Sequence, residues 1–209
     1  MARQRKAAAR SDDRSEADGP RETSLRIIGG SMRHRKLVYS GEPHTRPMKE
    51  RVREAVFNLV GPGVKGTHAI DLFAGTGALG LEAISRGATR ATLIERHFPT
   101  AALIRQNAAA LGVADQTAVE PANAFIWLQS HTPVGDQPWL AFCSPPFAFY
   151  VDRLPEMLSM IGLLVERAPP LSILVVEFDE NFDSNLLPEF DAWDIRSYPP
   201  ATIAILHRT

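Results

Sequence analysis

The stretch Asp71-Leu72-Phe73-Ala74-Gly75-Thr76-Gly77-Ala78-Leu79-Gly80 decides how the rest of this chain is read. Gly75 to Gly80 spell G-x-G-x-x-G, after a strand expected over 68–73 and at the start of a helix expected over 79–86. A glycine turn in that setting opens an α/β unit and aims backbone N–H groups at a ligand beyond the strand's C-terminal end. Close approach of backbone to ligand at Gly75 and Gly77 requires residues without Cβ. The pattern fits a nicotinamide dinucleotide or S-adenosylmethionine. Glu95 closes the next strand 24 residues beyond Asp71, where a carboxylate accepts hydrogen bonds from the ribose diol of either cofactor.

Downstream of the turn, strands and helices alternate. Strands are expected over 68–73, 91–95, 116–119, 139–143 and 172–178, with helices over 79–86, 100–111, 124–129 and 151–165 between them. Ile173 to Val176 and Leu140 to Phe142 are unbroken apolar runs, which suit strands covered by helices on both faces of a parallel sheet. Two final strands, 193–198 and 202–206, are joined through Pro199-Pro200. So short a link permits only antiparallel neighbours, because a parallel crossover takes a dozen or more residues. The expectation is an α/β chain built on a Rossmann-like, seven-stranded mixed sheet.

Upstream, the charge is unevenly placed. Residues 1 to 53 hold 14 of the 23 Lys+Arg and 7 of the 24 Asp+Glu, which leaves that segment at +7 and the remainder at -8. Such a split suggests a polyanion-binding end on an acidic body. Residues 1–24 carry no aromatic side chain and almost nothing to bury, so a disordered tail is expected, and Asp12, Asp13, Glu16 and Asp18 argue against a transit peptide. The segments 25–28 and 36–39 read as short strands around Gly29-Gly30-Ser31, a small β-hairpin. Met48, Val52, Ala55, Val56 and Leu59 then recur at helical spacing until Gly61-Pro62-Gly63. The expected division is a tail (1–24), a basic RNA-binding hairpin and helix (25–62) and a cofactor-binding domain (63–209). Arg26, Arg33, Arg35, Lys36, Arg46, Lys49, Arg51 and Arg53 are the candidate phosphate contacts, with salt-sensitive binding as their consequence.

Composition narrows the setting. The chain is 44% hydrophobic, enough for one full core, yet its apolar runs fall far short of the roughly 20 residues that cross a bilayer. A soluble protein is expected. One cysteine, Cys143, cannot form an intramolecular disulfide, and no apolar segment of the secretory kind begins the sequence, so a reducing cytoplasm is the expected compartment.

Ser144-Pro145-Pro146-Phe147 follows the fourth strand, at the sheet edge where α/β folds bind ligands. An aryl amine is a poor nucleophile because its lone pair is delocalised into the ring. The Pro145 carbonyl and the Ser144 side chain, accepting from its two hydrogens, would draw the nitrogen toward sp³ geometry and restore that pair. Phe147 would stack on a base lifted out of its helix. Alignment then supplies most of what transfer needs, with no metal. Taken alone, Pro145-Pro146 reads more readily as a rigid turn beside a core aromatic, and the chemical reading rests on its pairing with the glycine turn. Asn123, at the start of the helix after the third strand, stands where an adenine contact belongs and equally where an N-cap belongs. Cys143 as a nucleophile toward a pyrimidine ring is rejected, since a cysteine ending a buried strand is usually a small apolar filler. The six histidines show no ligand spacing.

Asp71 to Gly77 resembles motif I, D/E-x-F-x-G-x-G, of class I methyltransferases, and Ser144 to Phe147 resembles motif IV, D/N/S-P-P-Y/F/W, of those that modify exocyclic amino groups. With Leu25-Arg26-Ile27-Ile28-Gly29-Gly30, Arg35-Lys36-Leu37, Thr45-Arg46-Pro47 and Arg51-Val52-Arg53-Glu54-Ala55-Val56-Phe57-Asn58, the chain resembles the RsmD family from about Leu25 onward. Those are bacterial methyltransferases of guanine N2 in small-subunit ribosomal RNA. The resemblance implies S-adenosyl-L-methionine held by Asp71, Phe73, Gly75, Gly77, Glu95 and Asn123. Asp71 would meet its charged methionine portion directly or through water. It also implies catalysis at Ser144, Pro145, Pro146 and Phe147, and ribosomal RNA within the small subunit as partner.

One residue departs from the pattern: the family usually has Asp where this chain has Ser144. A hydroxyl is a weaker acceptor and a poorer base than a carboxylate, and serine occurs there in amino methyltransferases of cytosine N4. The alternatives are therefore an amino methyltransferase of cytosine N4 or adenine N6, in RNA or DNA, and a non-catalytic RNA-binding or ribosome-assembly factor. A nicotinamide oxidoreductase stands third. Intact Gly75, Gly77 and Glu95 argue against a protein that has lost its cofactor.

Overall fold

The computed structural model describes residues 25–41, 47–130 and 137–209, so the expected tail and Arg46 lie outside the described residues. Seven strands form one sheet: β1 (His68–Asp71), β2 (Arg90–Ile94), β3 (Thr117–Glu120), β4 (Trp139–Cys143), β5 (Ile173–Phe178), β6 (Trp193–Tyr198) and β7 (Ala201–His207). Their order is β3-β2-β1-β4-β5-β7-β6, with β7 antiparallel to both neighbours and every other pairing parallel. This is the seven-stranded mixed sheet the sequence predicts.

β1, β4 and β5 are buried at every position, which is why Leu140 to Phe142 and Ile173 to Val176 read as unbroken apolar runs. Successive side chains still alternate between two packed layers. Ala69, Leu140, Phe142, Ile173 and Val175 face one layer, with Val56, Leu81 and Ile104. Ile70, Ala141, Cys143, Leu174 and Val176 face the other, with Leu128, Ile161 and Leu164. The first layer is covered by α1 (Glu50–Val60), α2 (Ala78–Ser85) and α3 (Phe98–Leu111), the second by α4 (Ala124–Ser130), α5 (Phe149–Asp152) and α6 (Leu154–Arg167).

The single helix expected over 151–165 is two. Arg153, at φ -137° and ψ 30°, separates α5 from α6, and Pro155 occupies the first turn of α6. A proline there donates no N–H and its ring crowds the carbonyl four residues earlier, so the helix has to restart.

The N-terminal extension forms its hairpin through one antiparallel bridge, Arg26 to Lys36, flanked by Ile27 N to Arg35 O at 2.9 Å and Leu37 N to Leu25 O at 2.8 Å. Its turn is clamped onto α2. Ser31 N donates to the Ser85 carbonyl at 2.7 Å, Met32 N to Ser85 Oγ at 2.9 Å, and Ser85 Oγ to the Gly29 carbonyl at 2.6 Å. Gly30 sits at φ +76°, and a Cβ on it would lie 1.9 Å from the Ser85 carbonyl oxygen, so both handedness and space demand glycine. Beyond the turn, Asn107 of α3 substitutes for a strand partner: Val38 N donates to its Oδ1 at 2.9 Å and its Nδ2 to the Val38 carbonyl at 2.8 Å.

Leu25, Ile27, Met32, Leu37, Val52, Val56 and Phe57 belong to the same buried cluster as the sheet. The packing therefore runs without a break across the boundary expected at 62–63. That packing also corrects one expectation. Arg53, placed among the phosphate contacts, is 1% exposed and turned inward from α1, with NH2 donating to the Arg26 carbonyl at 2.6 Å. Among the described residues no helix is long and apolar enough to cross a membrane.

Candidate active site

β1 lies between β2 and β4, so the chain's winding reverses there, and the loops after β1 and β4 part to leave a crevice at their C-terminal ends. The crevice is a cleft of about 790 Å³, within the range of cofactor sites. One wall is made by Phe73 and Gly75 after β1, Glu95 after β2 and Asn123 before α4; the opposite wall is Ser144 to Phe147 after β4 and Glu177 in β5. Met48 and Lys49, just before α1, also line the cleft.

Glu95 organises the first wall. Gly75 N donates to its Oε2 at 2.9 Å and His97 N to its Oε1 at 2.8 Å, so one carboxylate ties the glycine turn to the start of α3. Asn123 serves as the cap of α4, its Oδ1 accepting from Phe125 N at 2.9 Å, while the residue also lines the cleft. The two readings of Asn123 are thus compatible: the oxygen caps, and Nδ2 has no partner among the described residues.

Two residues of the glycine motif act differently from expectation. Gly77 is the left-handed N-cap of α2 at φ +76°, and a Cβ there would lie 2.8 Å from Ile104 Cγ2. Its glycine is required by backbone handedness and by packing on α3, rather than by approach to a ligand. Asp71 is 1% exposed and lies behind the turn, outside the residues that line the cleft. The Gly80 and Phe73 amides lie close to its carboxylate, but neither oxygen completes a well-formed hydrogen bond among the described residues. Burial pushes its carboxyl up to about 7, against the pull of the Gly80 and Phe73 amides, and the Glu95 charge adds to the rise.

On the second wall, Ser144 Oγ donates to Glu177 Oε2. The Pro146 carbonyl accepts from Phe149 N at 2.9 Å and the Phe147 carbonyl from Tyr150 N at 3.0 Å, whereas the Pro145 carbonyl takes no backbone hydrogen bond among the described residues. That carbonyl and the Ser144 hydroxyl are the acceptors an aryl amine needs. Phe147 is half-buried and supplies a ring at the wall. Cys143 is fully buried, and burial with the nearby Asp71 charge pushes its thiol far up, which leaves it unreactive.

Phe125, Phe149, Arg153 and Glu177, absent from the sequence-based set, also line the cleft. Phe73, Phe125 and Phe149 form a ring cluster with centroids 5.9 to 6.1 Å apart, and the Arg153 guanidinium lies over Phe125 at 4.1 Å and Phe149 at 5.2 Å. Phe125, Phe149 and Arg153 carried no distinguishing sequence signal beyond closeness to Asn123 and Phe147. Glu177 did carry one: it is a lone acid in the apolar strand Ile173–Phe178, and a buried charge in such a run calls for an explanation. Its burial pushes its carboxyl above the usual range, with the Ser144 hydroxyl pulling it back.

The residues present fit S-adenosylmethionine: a carboxylate at a ribose position, an amide at the start of α4, aromatic rings for adenine and an open glycine turn. Among the described residues no cluster of three His, Cys, Asp or Glu side chains could hold a metal ion. Of the candidate RNA contacts, Arg33, Lys36, Lys49 and Arg51 are exposed with no side-chain partner among the described residues. Arg26 is paired with Glu50 at 2.7 Å, and Arg35 donates to the Ala110 carbonyl at 2.6 Å.

Comparison with known proteins gives concordant matches. A family model described as conserved hypothetical protein 95 matches residues 25–199. The ribosomal RNA small subunit methyltransferase D of Escherichia coli (strain K12) is 42% identical over 124 residues, 59% of this chain and 60% of that protein. The matched stretch thus spans three fifths of that relative's length. The Haemophilus influenzae protein of the same name is 33% identical over 162 residues, 75% of this chain and 80% of that one. The solved structure of Escherichia coli yhhF superimposes with a TM-score of 0.70 at 32% identity, covering 88% of this chain and 98% of that one.

Proposed function

The chain belongs to the RsmD family, described as conserved hypothetical protein 95, and from that membership we propose that it methylates the exocyclic amino group of an RNA base. The proposed target is N2 of a guanine in small-subunit ribosomal RNA, with S-adenosyl-L-methionine as the methyl donor. One observation carries the reading: the glycine turn with Glu95 and the Ser144-Pro145-Pro146-Phe147 loop face each other across a single cleft.

Each residue's part follows from its position. Gly75, Glu95 and Asn123 hold the cofactor, whose sulfonium supplies an activated methyl group. Asp71 supports the turn from behind. The Pro145 carbonyl and Ser144 Oγ accept from the amine, fix the plane of the base and expose its lone pair to the methyl carbon. Phe147 stacks on the base, and the exposed cations Arg33, Lys36, Lys49 and Arg51 hold the surrounding phosphates.

Mass spectrometry of ribosomal nucleosides from cells with and without this gene tests the proposal. N2-methylguanosine missing from the small subunit of the deletion strain is the expected result. Loss of N4-methylcytidine or N6-methyladenosine would move the target to another base, and an unchanged profile would overturn the enzymatic reading.

A further inference from the structure

A hydroxyl is a weak base, and Ser144 is the only side chain of its loop able to take a proton. The sheet register supplies what that loop lacks. β4 and β5 are parallel neighbours with Cys143 opposite Val176, so the next step along both strands sets Ser144 beside Glu177. Ser144 Oγ donates to Glu177 Oε2, and both residues line the cleft. Glu177 is 8% exposed. Its main chain is fixed independently of its carboxylate, because Tyr150 Oη donates to the Glu177 carbonyl at 3.0 Å.

We propose that Glu177 is the carboxylate of this active site, acting through Ser144 as the positioning residue and final proton acceptor for the amine. The inference rests on the methyltransferase reading given above. A hydroxyl that donates to a carboxylate becomes a stronger acceptor, because each hydrogen bond in a chain polarises the next. Ser144 Oγ, its own hydrogen directed to Glu177, presents lone pairs to one N–H of the substrate amine, while the Pro145 carbonyl takes the other.

The step balances through this pair. The amine nitrogen forms a bond to the methyl carbon as the carbon–sulfur bond of the sulfonium breaks, with its electron pair left on sulfur. The nitrogen now carries one proton too many. That proton passes to Ser144 Oγ as the Ser144 proton passes to Glu177, giving a neutral methylamine, a thioether and a protonated carboxyl that later returns its proton to water. A carboxyl whose affinity for protons is raised by burial suits the accepting role, provided it is ionised at the start. The other charged and titratable groups that share the cleft are Lys49, Glu95, Arg96, His97 and Arg153, with Tyr150 and Cys143 packed behind it.

Single-turnover methyl transfer to small subunits from cells lacking the gene, at saturating S-adenosylmethionine, reads this directly. Glu177→Gln is expected to slow transfer on the order of 100-fold while calorimetric affinity for the cofactor is unchanged. In the unsubstituted protein the rate should fall as pH drops through the raised Glu177 value, and that limb should vanish in Glu177→Gln. Ser144→Asp introduced into Glu177→Gln should restore most of the rate, because it returns a carboxylate to the amine. An unchanged rate and pH profile in Glu177→Gln, a loss that follows cofactor affinity, or a failure of Ser144→Asp to rescue would each overturn the proposal. An unsubstituted protein that transfers no methyl group would instead overturn the reading beneath it.

Discussion

Glu82 and Arg53, 0% and 1% exposed, face each other 3.9 Å apart between α2 and α1. Glu82 Oε2 also accepts from Ile28 N, and Oε1 from Gly29 N, both at 2.7 Å, while Arg86 Nε donates to Oε1 at 2.8 Å. One buried carboxylate thus latches the N-terminal hairpin to the glycine-turn helix and neutralises the cation beneath it.

The latch is unequal between its partners, and stability measurements should show it. Glu82→Ala strands the buried Arg53 charge and orphans the Ile28 and Gly29 amides, a loss of about 3–5 kcal/mol. Arg53→Met leaves Glu82 with three donors and removes chiefly the bond to the Arg26 carbonyl, a loss of about 1–2 kcal/mol. Urea unfolding of both variants checks the ranking. Equal losses would mean that Glu82 does not hold the hairpin.

Salt dependence of RNA binding separates surface cations from structural ones. Replacing Lys36, Arg33, Lys49 or Arg51 singly by Ala should reduce the slope of log affinity against log salt by about 1 wherever that side chain meets a phosphate. Arg53→Met, assayed under conditions where it stays folded, should leave the slope unaltered because its guanidinium is inside. A slope change in Arg53→Met as large as in Lys36→Ala would contradict the burial.

Asp71 gives the fold a predictable pH response. Its carboxyl is raised from 3.8 to about 7 in the folded chain, so the folded state binds the proton more tightly than the unfolded one. The stabilisation from the protonated form is complete below the unfolded value and is lost as pH rises through about 7. Asp71→Asn cannot ionise and should escape that loss. Without cofactor, its stability relative to the unsubstituted protein should improve by about 2–4 kcal/mol between pH 4 and pH 8. Parallel stability curves for the two proteins would exclude a raised Asp71.

Much of the molecule was legible in local pattern. The strands from β1 to β7 fall within a residue or two of their expected places, because buried runs and short turn-bounded segments are local signals. The glycine turn and the Ser144 loop were legible for the same reason, as both are contiguous stretches. Pro155 lies inside the helix expected over 151–165, and the helix restarts where the proline ring requires it.

What the sequence by itself determined was the fold and the two loops that form the cleft, since strand period, glycine turns and capping residues act over a few neighbours. Tertiary structure alone decided which charges work where. It turned Arg53 inward, hid Asp71 behind the turn it introduces, and set Glu177 against Ser144 across 33 residues of chain. A charged side chain's surroundings depend on which strands and helices pair around it, and that pairing is written in the register of the whole sheet.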